Sequence, residues 1–95
     1  MTRVEEKVPG GKLVRLNRKT SALDVSVQIS GDFFIYPEDG VYRLEETLSK
    51  LPGTAEESAV RGAIEETIQG YGLELLGIDA GTIARLFTES YRCGE

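Results

Sequence analysis

The feature that most limits how this chain can fold is a change of hydrophobic period near its middle. Between residues 23 and 30, apolar and polar side chains alternate, and this period of two predicts a strand with one face in a core and the other in water. From residue 41 the apolar spacing becomes three or four, which is typical of one stripe of a helix. The side chains on that stripe are Val41, Leu44, Leu48 and Leu51.

A second strand is predicted just before this one. Residues 12–18 mix apolar and basic side chains, and they lie close enough to 23–30 in the chain to form an antiparallel hairpin with it. Residues 1–11 begin charged and end in Val8-Pro9-Gly10-Gly11, which predicts a turn. No strand is predicted ahead of that turn.

Three helices are predicted in the second half of the chain. The first covers about residues 37–51 and begins on a proline. The second covers about residues 55–69, after a capping box formed by Thr54 and Glu57. The third is capped by Asp79. The inward stripes of the second and third helices are Val60, Ala63, Ile64, Thr67 and Ile68, and Ile83, Leu86, Phe87 and Tyr91.

Strands followed by helices indicate the α+β class. We expect a small antiparallel sheet of two to three strands, packed on about three helices, in a single domain of 95 residues. Because a two-stranded sheet is marginal alone, a third strand is expected from residues 33–36 or 73–76, or else support from a partner. A chain this short has one core and little room for a deep enclosed active site.

Charge is distributed unevenly along the chain. Residues 1–19 carry six basic and two acidic side chains, whereas the remainder carries five basic and fourteen acidic ones. The acidic body argues against nucleic-acid binding, which needs many cations. The basic segment is either a solvated hairpin face or a contact for an anionic ligand or an acidic partner. Since no apolar run approaches the roughly 18 residues of a membrane span, a cytoplasmic protein with no membrane or nucleic-acid partner is expected.

Groups suited to catalysis are scarce. The chain has no histidine, which excludes Ser-His and Cys-His nucleophiles and histidine metal ligands. Its one cysteine, Cys93, lies near the C-terminus and is interpreted as a free thiol. Three pairs of adjacent carboxylates are interpreted as solvated helix surface, because neighbours on a helix point apart: Glu45-Glu46, Glu56-Glu57 and Glu65-Glu66. No catalytic, cofactor-binding or metal-binding residue is assigned.

Two local features stand out. The stretch 7–12, Lys-Val-Pro-Gly-Gly-Lys, is either a plain turn, an edge that completes a partner's site, or a nucleotide site of its own. The last is disfavoured because a P-loop leads into a helix, and a strand is predicted here. At Phe33 and Phe34, adjacent side chains of an extended segment point to opposite faces. One therefore fills the core, and the other needs cover from the chain's own helices or from a partner, while Asp32 caps the turn before them.

Several motifs are shared with one known family. They are KVPGGK at 7–12, ALDVSVQISGDFF at 22–34, YPED at 36–39, RLEETLSKLPG at 43–53 and GLELLGID at 72–79. Together they resemble the C-terminal accessory domain of lipoate–protein ligases, and the resemblance covers nearly the whole chain. Each motif alone is weak, whereas the linked pattern is fairly specific.

The resemblance implies an accessory role. In that family a large domain holds lipoate, ATP and a catalytic lysine, makes lipoyl-AMP and transfers lipoate to carrier proteins. This sequence lacks that large domain, and in some lineages, mainly archaeal, the small domain is a separate subunit. The implied partner is therefore a catalytic lipoate–protein ligase subunit in a heterodimer, with lipoyl-domain carrier proteins met indirectly. ATP, Mg and lipoate are implied for the complex, and none is expected on this chain alone.

The same resemblance directs attention to two segments. We expect them to lie at the partner interface or at the rim of the partner's active site, with Phe33 or Phe34 as the apolar anchor. The residues are Lys7, Gly10, Gly11, Lys12, Asp32, Phe33 and Phe34.

Other functions stay open at this point. A general protein-interaction or regulatory module unrelated to lipoylation would use the same apolar corner, and an autonomous nucleotide-binding enzyme would use the Gly10-Gly11 loop. A lipoyl acceptor is disfavoured, because such domains are β-rich and carry a lysine at a hairpin tip, whereas three helices are predicted here.

Overall fold

The computed structural model describes residues 2–8, 12–20 and 25–92, with Val8 and Lys12 described by their backbone alone. The elements in chain order are β1 (Thr2–Val8), β2 (Lys12–Thr20), β3 (Val25–Gly31), β4 (Phe34–Tyr36), α1 (Gly40–Ser49), α2 (Glu57–Tyr71), β5 (Glu74–Leu76) and α3 (Ala80–Arg92). The predicted α+β class is confirmed. None of the helices in this part of the chain is long and apolar enough to span a membrane.

The strands form two separate antiparallel sheets. The first has the order β1-β2-β3, and the second pairs β4 with β5. The hairpin of β2 and β3 is confirmed, whereas β1 was not predicted, because its charged side chains hide the alternation of Thr2 and Val4, which are buried. Both segments proposed as a third strand are strands, and they pair with each other rather than with the larger sheet.

The larger sheet has one face in the core. Its inward side chains lie beneath α1 and α3, and every second residue along each strand points into this layer, as the period-two pattern predicts. The inward apolar side chains are Val4, Val14, Leu16, Val27 and Ile29. The predicted helical stripes are confirmed too, because Leu44, Leu48, Val60, Ile64, Ile83, Leu86 and Phe87 are all buried in the same cluster.

The first helix begins later than predicted. Residues 37–39 form a turn in which the amide of Gly40 donates to the carbonyl of Pro37 at 2.8 Å, and α1 starts at Gly40. A β carbon at this position would lie 2.8 Å from side-chain atoms of both Ile35 and Leu73. The glycine that weakens the helix by propensity therefore lets α1 approach the smaller sheet closely.

The predicted capping box is wrong. Helix α2 begins at Glu57, its N-cap is Glu56, and no side chain caps it. Residues 52–55 form a turn of their own, in which the amide of Ala55 donates to the carbonyl of Pro52. The helix ends at Tyr71, and Gly72 follows in the left-handed conformation (φ 64°), which glycine adopts at little cost.

Asp79 caps α3 as predicted. Its Oδ1 accepts a 2.7 Å hydrogen bond from the amide of Thr82. This bond is the main reason that the pKa of Asp79 lies below its ordinary value. Glu6 of β1 pairs with Arg85 of α3, and the hydrogen bond from Arg85 lowers the pKa of Glu6.

Helix α1 covers the free edge of β3. The amide of Ile29 donates to Oε2 of Glu45 at 2.8 Å, and the amide of Val27 donates to Oγ of Ser49 at 3.1 Å. Glu45 is therefore half-buried and not the solvated side chain that was predicted, and burial raises its pKa. Covering an edge in this way removes a template for unwanted strand pairing.

Arg18 also departs from the sequence interpretation. It was grouped with a basic surface, yet it is only 1% exposed. Its guanidinium donates to the carbonyl of Ser90 at 2.9 Å and to Oγ1 of Thr20 at 2.6 Å, and it lies 3.8 Å from the ring centroid of Tyr91. Arg18 therefore joins the sheet to the end of α3 from inside the fold.

Candidate docking surface

The smaller sheet presents its apolar side chains outward. Phe34 pairs with Leu76 and Tyr36 with Glu74, so these four side chains share one face. Phe34 is 74% exposed, Tyr36 70% and Leu76 56%. The alternate side chains, Ile35 and Leu75, face the other way and pack on the core. We refer to Phe34, Tyr36 and Leu76 as the aromatic face.

The aromatic face borders a shallow groove. The groove has a volume of about 290 Å³ and runs between the end of β3 and the start of α1. Its lining includes Phe33, Phe34, Glu38 and Val41. The groove is open enough to receive a side chain from another molecule, and its apolar lining favours an aliphatic or aromatic one.

The surroundings of the aromatic face are acidic. Segments 32–41 and 72–79, which form or flank the smaller sheet, contain no lysine or arginine. Their charged residues are Asp32, Glu38, Asp39, Glu74 and Asp79. The nearest basic residue along this part of the chain, Arg43, has its guanidinium 4.6 Å from the ring centroid of Tyr71. Asp32, Glu38 and Glu74 therefore put negative charge at the border of the aromatic face.

The corner that leads into β4 is held by β2. The amide of Asp32 donates to the carbonyl of Leu13 at 2.8 Å, and Oδ2 of Asp32 accepts a longer bond, 3.4 Å, from the amide of Leu13. At Gly31, which has φ +143°, a β carbon would lie 2.1 Å from the carbonyl oxygen of Leu13. Only glycine fits here, so the corner is rigidly tied to β2.

The two segments predicted at the partner interface lie at the same end of the larger sheet. Lys7 pairs with Leu13 across β1 and β2, and Leu13 in turn holds Asp32. Lys7 is exposed. Gly10, Gly11 and the side chain of Lys12 lie outside the described residues, so their predicted role stays a prediction.

Phe33 and Phe34 differ in exposure, as expected for neighbouring residues of an extended segment. Phe33 is half-buried and packs against the core, whereas Phe34 is exposed. The alternative that the domain's own helices cover both rings is therefore wrong. Of the two candidate anchors, Phe34 is the one available to a partner.

The larger sheet offers a second and different surface. Its outward residues are mostly polar and include several basic ones, with Arg15 paired to Glu5 at 3.0 Å and Nε of Arg3 donating to Asn17 at 3.2 Å. A depression of about 220 Å³ on this face is lined by Asn17, Lys19, Ser26 and Gln28. The basic N-terminal segment is thus largely a solvated sheet face, apart from Arg18.

The chemistry available in the described residues is limited. No group of three or more cysteine and carboxylate side chains within them is arranged to hold a metal ion. Sequence reasoning identified Phe34 but missed Tyr36 and Leu76. Their positions in β4 and β5 were candidate strands, yet which side of those strands faces water depends on the pairing and cannot be read from a run of apolar residues.

Comparison with known proteins bears on the fold. No family model and no curated protein matches the chain. Among solved structures, the chain is similar to one from Thermoplasma acidophilum, described as a structural analysis of an archaeal lipoylation system with a bipartite lipoate protein ligase and its E2 lipoyl domain. The two chains are 20% identical, the TM-score is 0.61, and the match covers 90% of this chain and 96% of the other. The chain therefore shares its fold, over most of its length, with a component of that system.

Proposed function

We propose that this chain is the non-catalytic accessory subunit of a two-component lipoate–protein ligase, needed by a separate catalytic subunit for ATP-dependent activation of lipoate. The observation that carries the proposal is the likeness of fold, over nearly the full length of both chains, to a component of the Thermoplasma acidophilum bipartite system. The linked motifs at 7–12, 22–34 and 36–39 support it from the sequence.

The proposed reaction has two steps, both on the catalytic subunit. A carboxylate oxygen of lipoate attacks the α-phosphorus of Mg-bound ATP, and pyrophosphate leaves. The amine of a lysine on a lipoyl-domain carrier protein then attacks the acyl carbon of lipoyl-AMP, and AMP leaves as the amine loses a proton. Both steps benefit when water is excluded and when fixed donors meet the developing charge. A small domain that closes on the catalytic subunit can promote this without touching the reacting atoms.

The titratable groups of the chain support an accessory role. Each described carboxylate with a displaced pKa has a partner within the fold: Glu45 holds the edge of β3, Asp79 caps α3, and Glu6 pairs with Arg85. Catalytic carboxylates are usually perturbed by an arrangement in a cleft. Here the three carboxylates instead help to hold the fold together.

The test is reconstitution. The purified chain is combined with a catalytic ligase subunit that lacks this domain, together with ATP, Mg and lipoate, and lipoyl-AMP is measured by pyrophosphate release and by chromatography. We expect the adenylate only when both proteins are present. A carrier domain added afterwards should become lipoylated.

Two results would contradict the proposal. Equal lipoyl-AMP formation by the catalytic subunit alone would remove the need for this chain, and lipoyl-AMP formation by this chain alone would make it an enzyme. Replacing lipoate by octanoate in the same assay defines which acid the complex activates.

The exposed aromatic face also supports a second candidate, a protein-interaction module with no part in lipoylation. The reconstitution separates the two, since such a module would leave adenylate formation unchanged while still binding its own partner through Phe34.

A further inference from the structure

We propose that the aromatic face is the surface on which the catalytic subunit docks, through a contact area that is apolar at its centre and carries lysine or arginine at its border. This inference rests on the proposed function and adds to it the location and the chemistry of the interface. Three properties of the smaller sheet carry it: its rigidity, its area and the charges that surround it.

The aromatic face is held in place before any partner arrives. Ile35 and Leu75, on the reverse side of the two strands, are anchored in the core. Gly40 brings α1 against Ile35 and Leu73, and the corner before β4 is tied to Leu13 by hydrogen bonds. Docking therefore costs this domain little conformational entropy, because its side of the interface is already ordered. This low cost favours affinity.

The aromatic face exposes a contiguous apolar area. At about 200 Å² for a large side chain, three side chains exposed by 56–74% present roughly 400 Å² of surface. Contiguous apolar patches of this size on monomers are often functional. A standard interface buries about 800 Å² on each partner, so the aromatic face and groove supply its apolar centre and the surrounding polar residues the rest.

The border of the aromatic face determines the chemistry of the partner. The carboxylates of Asp32, Glu38 and Glu74 lie within two residues or one strand pair of Phe34 and Tyr36, and no cation belongs to these segments. A second copy of this face would bring like charges together, which disfavours self-association. A partner with basic side chains around an apolar centre gains attraction from these three carboxylates.

The outer face of the larger sheet fits a docking role less well. Its long polar side chains already bond to one another, as Arg15 does with Glu5 and Arg3 with Asn17. A partner would have to replace these contacts while gaining little apolar burial. This face therefore supplies the matched control for the experiment.

The experiment measures binding of the full chain to the catalytic subunit by calorimetry, alongside lipoyl-AMP formation. The test variant is Phe34→Ala/Leu76→Ala, a cross-strand pair on the aromatic face. The control is Asn17→Ala/Gln28→Ala, a cross-strand pair on the outer face of the larger sheet. We expect Kd to rise at least about 30-fold for the test pair, as for a hot spot, and less than about 3-fold for the control.

A second variant keeps the inference testable if truncation disturbs the fold. Glu38→Lys/Glu74→Lys reverses two border charges and leaves the side chains of Phe34, Tyr36 and Leu76 unchanged. We expect its association rate to fall about tenfold at low salt, and the difference from wild type to shrink as salt rises. The control is Glu66→Lys on the exposed side of α2, which should leave the rate nearly unchanged.

The outcomes separate this inference from the proposed function. If wild type stimulates lipoyl-AMP formation but the test and charge variants bind as tightly as wild type, docking occurs elsewhere and only this inference fails. If wild type neither binds nor stimulates, the proposed function fails and takes this inference with it.

Sedimentation of the isolated chain should show a monomer. A dimer that Phe34→Ala/Leu76→Ala abolishes would assign the face to self-association and overturn the inference.

Discussion

The two sheets use the same backbone pairing for opposite purposes. The larger sheet points its apolar side chains inward and its charges outward, so its pairing builds the core. The smaller sheet keeps Ile35 inside but turns Phe34, Tyr36 and Leu76 to water. Apolar exposure of that kind adds nothing to stability, because burial is what stabilises. The two sheets of one domain therefore differ in how much of their apolar surface contributes to the core.

The largest effect should come from comparing one apolar truncation on each sheet. Leu16→Ala empties a fully buried position of β2 and should lower the free energy of unfolding by about 3 kcal/mol. Phe34→Ala removes a larger side chain but should change it by less than about 0.5 kcal/mol, because the ring is exposed. Urea unfolding at pH 7 measures both. A loss of several kcal/mol for Phe34→Ala would show that the ring serves the core and would end the contrast.

The junction between the sheets should be the next most sensitive site. Gly31→Ala places a β carbon against the carbonyl oxygen of Leu13 in a region of positive φ and should cost about 2 kcal/mol. The control is Gly62→Ala within α2, where a β carbon meets nothing within 4 Å. This substitution should raise the free energy of unfolding by about 1 kcal/mol. Thermal unfolding compares the two, and equal changes in Tm would contradict the strained corner.

The helix that follows the smaller sheet depends on its cap. Asp79→Ala should lower the free energy of unfolding at pH 7 by about 1 kcal/mol, because the amide of Thr82 loses its acceptor. The pKa of Asp79 is lowered in the folded state, so its contribution is present above the ordinary value of 3.8 and is lost as the pH falls through the lower folded value.

This pH dependence can be measured directly. Urea unfolding of wild type and Asp79→Ala is compared at pH 7 and at successive values below 4. The difference in free energy of unfolding between the two proteins should become smaller as the pH falls. A gap that stays constant would assign the effect to packing and not to the carboxylate.

The smallest effect concerns the larger sheet's free edge. Burial raises the pKa of Glu45 in the folded state, so the folded chain binds more protons than the unfolded chain just above pH 4.5, and stability falls as the pH rises through that window. Glu45→Gln keeps an acceptor for the amide of Ile29 and carries no charge. The free energy of unfolding of Glu45→Gln should stay within about 0.5 kcal/mol of the wild-type value at pH 7. It should not show the decrease that Glu45 causes as the pH rises through this window.

A matched variant isolates the hydrogen bond from the charge. Glu45→Ala leaves the amide of Ile29 without this acceptor and should cost about 1 kcal/mol. If Gln and Ala prove equivalent in urea unfolding at pH 7, then the contact between α1 and the edge of β3 contributes little to stability.

Much of the fold could be predicted because periodicity is a local property. The alternation at 25–29 and the stripe of Leu44 and Leu48 each state which side of an element meets the core, and the structure confirms both. Asp79 was recognised as a cap because capping acts within one turn. The start of α1 was misjudged because the close approach of Ile35 and Leu73 to Gly40 comes from residues distant in the chain or on another element.

The candidate site, too, was predictable only where a local pattern was sufficient. The sequence by itself determined that one of Phe33 and Phe34 must face away from the core, since adjacent residues of a strand point to opposite sides. Only the tertiary structure decided that Phe34 is the exposed one, that Leu76 and Tyr36 join it, and that Arg18 and Glu45 are drawn inward. Those outcomes depend on strand register and on which helix covers which strand edge. Such contacts join segments far apart in the chain, and they leave no periodic pattern in the sequence of either segment.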